Sequence, residues 1–173
     1  MILSLKSRLR LRVLGLMFIA AFTASCGFTP MHAPAGAVGA FGNMAVELGP
    51  NIRVDDKEAG FWVQQRLAER LGSTAGPAQI LEVTPSTRRG GIGVSGQDVA
   101  TRYDLNMSLK YKLTDAATGK VLDRGTISSV STYTASNDPY ALIAAEKATT
   151  KQLASDTADR LLTKVAGYFA SQR

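Results

Sequence analysis

The chain has 173 residues, with 20 Lys and Arg against 14 Asp and Glu for a net charge of +6, and it contains one cysteine and one histidine. A lone cysteine excludes an intrachain disulfide, so the fold must be stable through its hydrophobic core alone. Four of the basic residues lie in residues 1–25, and the remaining 16 against 14 acids give a charge of only +2. That small excess argues against a nucleic-acid-binding protein.

The N-terminus has the organisation of a secretory signal peptide. Basic residues and no acid precede an apolar run of ten residues, Val13–Phe22. This run is too short for the roughly 20 residues that a membrane-spanning helix needs. The segment Thr23-Ala24-Ser25-Cys26-Gly27 then resembles the bacterial lipobox, with Thr23 where an aliphatic residue is usual. We therefore expect cleavage before Cys26, a diacylglycerol on its sulfur and an acyl chain on its amine.

Three segments follow from this cleavage. Residues 1–25 are the predicted signal peptide, and residues 26–42, rich in Pro, Gly and Ala, are a predicted lipidated tether. Residues 43–173 are predicted to form a single domain. Position 27 is Gly rather than the Asp that often marks retention in the inner membrane, which favours an outer-membrane destination.

A short strand and a helix are predicted at the start of the domain. The strand is expected at Met44–Leu48, or slightly later at Ile52–Val54. Asp55 and Glu58 have the spacing of a capping box and predict a helix over Lys57–Leu71, ended by the glycine that follows. The apolar residues of this helix recur every four positions: Ala59, Val63, Leu67 and Leu71.

A second strand is predicted at Ile80–Thr84 and is expected to stop at Pro85, which has no N–H to donate. Arg88 and Arg89 are therefore placed in a loop. The run Gly91–Gly96 has the letters of a dinucleotide-binding fingerprint, but it leads into a strand instead of opening a helix. We interpret it as part of a flexible glycine-rich loop.

The clearest strand is predicted at Arg102–Leu113, where apolar and polar residues alternate strictly and indicate one buried and one wet face. Asp115–Gly119 has the residues of a hairpin turn. A fourth strand is predicted from Val121 to about Thr134, with a bulge expected at Gly125.

The last predicted element is a long helix with Asp138 as N-cap and Pro139 at its first position, ending near Phe169. Its buried stripe is predicted to consist of Ala141, Ala145, Ala148, Ala158, Leu161, Val165 and Phe169. The element order β-α-β-β-β-α predicts an α+β fold, with two helices packed on one face of a four-stranded, mostly antiparallel sheet.

No catalytic constellation is recognisable. The only histidine, His32, lies in the tether. One imidazole and no free thiol support neither a Ser-His-Asp triad nor a His/Cys zinc site, and no pair of carboxylates has a recognisable spacing. We therefore predict that the protein is not an enzyme and that it needs no metal or cofactor beyond the lipid on Cys26.

Two basic clusters are candidate anion-binding sites, although either is also compatible with an ordinary solvated surface. The first consists of Arg88, Arg89 and Arg102. The second, at the other end of the predicted hairpin, consists of Lys110, Lys112 and Lys120, with Arg124 as a further candidate. About ten strand residues, or roughly 30 Å, separate the two clusters, so they cannot form one site. The arginine cluster is the first candidate because the planar guanidinium donates two parallel hydrogen bonds to phosphate.

Four short motifs, in this order along the chain, resemble the lipopolysaccharide (LPS)-assembly lipoprotein family LptE. Cys26-Gly27-Phe28-Thr29-Pro30-Met31-His32 is similar to the family's opening C-G-F-x-P-L-Y, with Met and His in place of Leu and Tyr. The other three motifs are Thr101–Leu105, Tyr111–Asp115 and Asp138–Ala141, the last before an Ala-rich helix.

The resemblance implies an outer-membrane lipoprotein on the periplasmic side that fills the lumen of the large β-barrel LptD. It further implies that the protein helps this barrel assemble and contacts LPS on its way to the cell surface. The family's LPS contacts are basic residues at strand ends, and lipid A carries phosphates. Arg88, Arg89 and Arg102 are therefore the candidate LPS-binding residues, with the lysine cluster as second choice. The glycine-rich loop Gly90–Gly96 has no counterpart that we can place in the family.

Two other classes of function remain open on the residues alone. One is a lipid-anchored adaptor, or an auxiliary subunit of another envelope lipid-transport machine, that binds a soluble partner through a sheet edge. The other is a lipid-anchored hydrolase with paired carboxylates. An integral barrel as stoichiometric partner would separate the LptE-like role from the adaptor, and two acids converging in a cleft would favour the hydrolase.

Overall fold

The computed structural model describes residues 43–72, 76–94, 100–134 and 137–172. The predicted signal peptide, Cys26, the tether and His32 lie outside these ranges. The described chain contains four strands and two α-helices, with a 3-10 turn at Val54–Asp56 before the first helix. The elements are β1 (Met44–Leu48), α1 (Lys57–Leu71), β2 (Gln79–Val94), β3 (Ala100–Asp115), β4 (Val121–Thr134) and α2 (Pro139–Ser171).

The four strands form one sheet in the order β1-β2-β3-β4. β1 is parallel to β2, because α1 carries the chain back between them, and the other two pairings are antiparallel. Both helices pack on the same face of this sheet. The predicted α+β fold, with its element order β-α-β-β-β-α, is confirmed.

The hydrophobic core lies between the helices and this face of the sheet. All four predicted stripe residues of α1 are buried, and so are the alternate apolar residues of β3 beyond Tyr103: Leu105, Met107, Leu109, Tyr111 and Leu113. Gly72 ends α1 with φ +74°, a left-handed backbone conformation that glycine adopts without strain. The periodicities of α1 and β3 therefore predicted their buried faces correctly.

The prediction that β2 stops at Pro85 is wrong. The carbonyl of Val83 accepts from Gly49 N–H at 2.9 Å, and Thr87 N–H donates to the Asp56 carboxylate at 2.6 Å. Main-chain groups in a strand alternate in direction, so the nitrogen of Pro85 also points to this edge, beyond the end of β1. No ladder hydrogen bond is lost there, and the strand continues through the predicted loop.

The predicted capping box at the start of α1 is also wrong. The N-cap is Asp56 rather than Asp55, and its side chain makes no capping hydrogen bond. Asp56 is buried and directs its carboxylate at Thr87 of β2 instead. The Asp56 carboxylate therefore binds the donors of a strand that lies about thirty residues later, instead of capping the N–H groups of its own helix.

Gly125 does not form the bulge predicted in β4. The register shift lies opposite Leu113 and Thr114, where the ladder skips Leu122. Gly125 pairs in register with Tyr111, and a Cβ atom at this position would lie 3.0 Å from the Tyr111 ring. The glycine is needed for space, because the tyrosine ring lies across it.

The predicted stripe of α2 is correct only in its second half. Ala158, Leu161 and Val165 are buried, whereas Ala141 and Ala148 are exposed. The buried part of the helix also contains Leu153, Ala154 and Thr157. An alanine side chain gains little from burial, so the larger leucines determine which side of the helix faces the sheet.

Candidate functional site

The second face of the sheet is polar and carries neither α1 nor α2. Even-numbered residues of β2, β3 and β4 point to this open face, because side chains alternate along a strand. Its central part is formed by hydroxyl and amide side chains: Thr84, Ser86, Asn106, Ser108, Thr126 and Ser128.

The sheet divides the arginine cluster between its two faces. Arg88 and Arg89 lie in β2, where they pair with Asn106 and Leu105, so the loop predicted for them is wrong. As successive strand residues they point in opposite directions. Arg88 and Arg102 are exposed on the open face, about 13 Å apart along the strands, since four residues of about 3.3 Å separate them in the register.

Arg89 is engaged on the helix face. Its Nη1 donates to Oε2 of Glu146 in α2 at 2.7 Å, and its guanidinium lies 5.3 Å from the ring centroid of Tyr103. Tyr103 stacks on Tyr133 with a centroid distance of 5.5 Å. The nearby Tyr133 hydroxyl and the Glu146 carboxylate raise the pKa of Arg89 above its ordinary value. This arginine therefore connects α2 to the sheet.

Burial raises the pKa of Tyr133, and the neighbouring guanidinium of Arg89 opposes this effect. Among the described residues the Tyr133 hydroxyl makes no hydrogen bond of standard geometry. The two side chains are thus close enough to influence each other electrostatically, while the well-formed contact of Arg89 is the one to Glu146.

The lysine cluster is only partly available for an anion. Lys110 and Lys112 lie on the open face, and Lys120 is exposed beyond the hairpin turn. Lys112 Nζ forms an ion pair with Glu82 Oε2 at 2.6 Å. Arg124 pairs with Lys112 across β4 and adds a second cation to this end of the sheet.

A shallow cavity of about 140 Å³ lies on the open face. The sequence did not predict it. A row of serines across three strands, Ser86, Ser108 and Ser128, forms much of its lining together with Arg88 and Asn106. Hydroxyls, an amide and a guanidinium are suited to a phosphate or a sugar. The row follows from the strand register, which sequence alternation alone does not determine.

Neither a metal site nor a membrane-spanning helix occurs in the part of the chain that the structure describes. No group of three or more His, Cys, Asp or Glu side chains there is placed to hold a metal ion. None of the helices in those ranges is both long enough and apolar enough to cross a bilayer.

Comparison with known proteins identifies the family. The family model described as LptE, lipopolysaccharide-assembly, matches residues 44–165, which is most of the chain and all but the ends of the described fold. The chain belongs to the LptE family. A search among curated proteins found no match to the sequence.

Solved structures of lipoproteins share the LptE fold seen here. A putative lipoprotein from Caulobacter crescentus has a TM-score of 0.64 and 23% identity, over 80% of this chain and 98% of its own. The rare lipoprotein B from Shewanella oneidensis has a TM-score of 0.58 and 18% identity, over 75% and 97%. A minor lipoprotein from Acinetobacter baumannii has a TM-score of 0.54 and 14% identity, over 73% and 92%. At these identities the likeness concerns the fold.

Proposed function

We propose that this LptE-family protein is a lipid-anchored outer-membrane subunit that fills the lumen of an LptD-like β-barrel, helps it assemble and contacts LPS, without catalysis. The observation that carries the proposal is the open sheet face, which carries neither α1 nor α2 and is mostly polar over three long strands, with Val130 and Ile92 as exposed apolar residues. The lumen of a large membrane barrel is polar and wet, so a subunit inserted into it needs such a surface.

Arg88 and Arg102 are the proposed LPS contacts. Both are exposed on the open face, and neither forms an ion pair within the described ranges, in contrast to Arg89 and Lys112. A free guanidinium can bind a lipid A phosphate through two parallel hydrogen bonds. The serine row beside Arg88 offers hydroxyls to the sugars that carry those phosphates.

Depletion of the protein tests the proposal at the level of the cell. We expect a misassembled barrel and LPS retained inside the envelope, and normal surface LPS would contradict the proposed role.

Affinity purification of the acylated protein from detergent-solubilised outer membranes should recover an integral barrel in stoichiometric amount. A soluble partner in its place would favour a lipoprotein adaptor.

Reversing the charge of Arg88→Glu together with Arg102→Glu should weaken LPS binding by at least about tenfold, because two charge-assisted contacts are lost. Binding of the purified protein to LPS micelles measures this effect. Arg53→Glu with Lys57→Glu removes two exposed cations near the start of α1 and serves as the control with equal charge change. Equal weakening in both variants would mean that only net charge matters, and unchanged binding would shift the site to the lysine cluster.

A further inference from the structure

β4 forms an outer edge of the sheet. Gly49 N–H donates to the Val83 carbonyl, so odd-numbered residues of β2 direct their main-chain groups towards β1. In the observed registers, the main-chain groups of even-numbered residues in β2 and β3 therefore face each other. Those of odd-numbered residues in β3 and β4 also face each other. The main-chain N–H and C=O groups that point away from the sheet belong to the even-numbered β4 residues: Arg124, Thr126, Ser128, Val130 and Thr132.

This edge lacks the features that usually prevent pairing with another strand. β4 is 14 residues long, and from Gly125 to Thr134 it contains neither a charged residue nor a proline. The ladder irregularity at Leu122 affects only its first residues. By contrast, β1 at the opposite edge has five residues, and Gln64 donates to the outward carbonyl of Val46 at 3.4 Å. A long uncharged edge strand is a template for an incoming strand.

A cationic groove of about 540 Å³ lies beside this edge, between Asp123 of β4 and the C-terminal half of α2. Arg160, Lys164 and Tyr168 contribute to its lining. Asp123 places the groove on the β4 side of α2, whereas Asp159 of the same helix forms ion pairs with Arg66 and Arg70 of α1. Within the described ranges neither Arg160 nor Lys164 forms an ion pair, so the groove has cations available for an acidic partner.

We propose that the β4 edge is the docking site for an extended segment of the partner barrel that lies outside its closed wall, with acidic side chains of that segment bound by Arg160 and Lys164. The inference rests on the proposed function, which supplies the barrel. Main-chain hydrogen bonds to the outward groups of β4 provide affinity, and the groove cations select the sequence of the incoming strand. A second copy of this chain is less suitable, because its own β4 has Asp123 as its only acid.

Val130→Pro tests main-chain pairing in the full acylated protein. Proline removes an outward N–H without breaking the β3–β4 ladder, whereas Val130→Ala keeps the N–H and only shortens an exposed side chain. We expect Val130→Pro to lower recovery of the barrel by about tenfold, the effect of losing one or two hydrogen bonds, and Val130→Ala to leave it unchanged. Equal recovery with both variants would overturn the proposal.

Two further measurements test the docking site if Val130→Pro fails to fold. Amides of Thr126, Ser128 and Val130 should exchange more slowly with deuterium in the wild-type complex than in the free protein. Arg160→Glu with Lys164→Glu should reduce recovery of the barrel, while the control Arg53→Glu with Lys57→Glu should not. Unprotected amides, or equal recovery with both charge reversals, would overturn the proposal.

The failure of this inference can be distinguished from that of the proposed function. If the wild-type protein recovers no barrel, the proposed function itself is contradicted. If it recovers the barrel and the β4 variants do so equally, only the docking site is wrong. A homodimer of the free protein that Val130→Pro dissociates, with barrel recovery unchanged, would assign the edge to a second copy and overturn the inference.

Discussion

Asp56 continues the edge of the sheet where β1 has ended. Its Oδ1 accepts from Thr87 N–H at 2.6 Å and from Thr87 Oγ1 at 2.7 Å, and the residue is 1% exposed. A buried carboxylate is costly to hold unless hydrogen bonds satisfy it, and here one oxygen takes both donors. The side chain thus replaces a strand partner for β2 at this point.

Asp56→Ala should lower the free energy of unfolding by about 1–3 kcal/mol, because the part-buried N–H and hydroxyl of Thr87 lose their acceptor. Urea denaturation of the purified protein measures the change. Asp55→Ala is the matched control, since the Asp55 side chain is 82% exposed and its pairing with Arg53 is on the surface. Similar destabilisation by both substitutions would contradict the role assigned to Asp56.

Tyr111 should make stability sensitive to alkaline pH. Burial and then the hydrogen bond from its hydroxyl to Asp123 Oδ2 at 3.0 Å raise the pKa of Tyr111 to about 12, from an ordinary value of 10.0. The folded protein therefore retains this proton more tightly than the unfolded chain. The stabilisation is fully present below pH 10.0 and is lost as the pH rises towards about 12.

The Tyr111→Phe variant should lose less stability than the wild type over this alkaline range, measured as the urea midpoint at each pH. Tyr140→Phe is the control, because Tyr140 is 84% exposed. Identical alkaline slopes for the wild type and Tyr111→Phe would show that the titration of Tyr111 is not linked to folding.

At the scale of elements, α2 shows where helical periodicity is informative. Leu153, Leu161 and Val165 are large enough to select the buried side of the helix, and this half enters the core. The first ten residues of the helix include four alanines and present exposed Tyr140 and Ile143, so their pattern did not identify the inward side. The predicted stripe was correct where apolar residues are large and wrong where they are small.

Matched substitutions on α2 test this arrangement. Ala158→Asp places a carboxylate in a fully buried position and should destabilise the protein by about 3–5 kcal/mol, as an uncompensated buried charge does. Ala148→Asp, at an exposed position of the same helix, should change stability by less than about 0.5 kcal/mol. Thermal unfolding measures the stability of the two variants. A large loss of stability at position 148 would contradict the orientation of α2 on the sheet.

In the strands too, the sequence pattern predicted some features and not others. The alternation of β3 predicted its buried face because one wet and one dry side require a period of two. The end of β2 was not predictable from Pro85 alone, because the cost of a missing N–H depends on which neighbour it faces. That neighbour is determined by the pairing of β2 with β1, a segment more than thirty residues earlier in the chain.

For the whole molecule, the lipid anchor remains a prediction from the signal sequence. Mass spectrometry of the mature N-terminus should find Cys26 as the first residue, with a diacylglycerol on its sulfur and an acyl chain on its amine. An unmodified thiol, or an intact signal peptide on the protein purified from membranes, would contradict membrane attachment through this residue.

The sequence by itself determined the element order, the buried faces of α1 and β3, the hairpin turn and the motifs of the LptE family. These depend on residues that lie close together along the chain, where side-chain periodicity and turn chemistry operate. The tertiary structure decided which cations share a surface: it separated Arg89 from Arg88 and paired it with Glu146, 57 residues later. It also aligned the serine row and left the β4 edge open, because strand register and helix placement arise from contacts between distant segments.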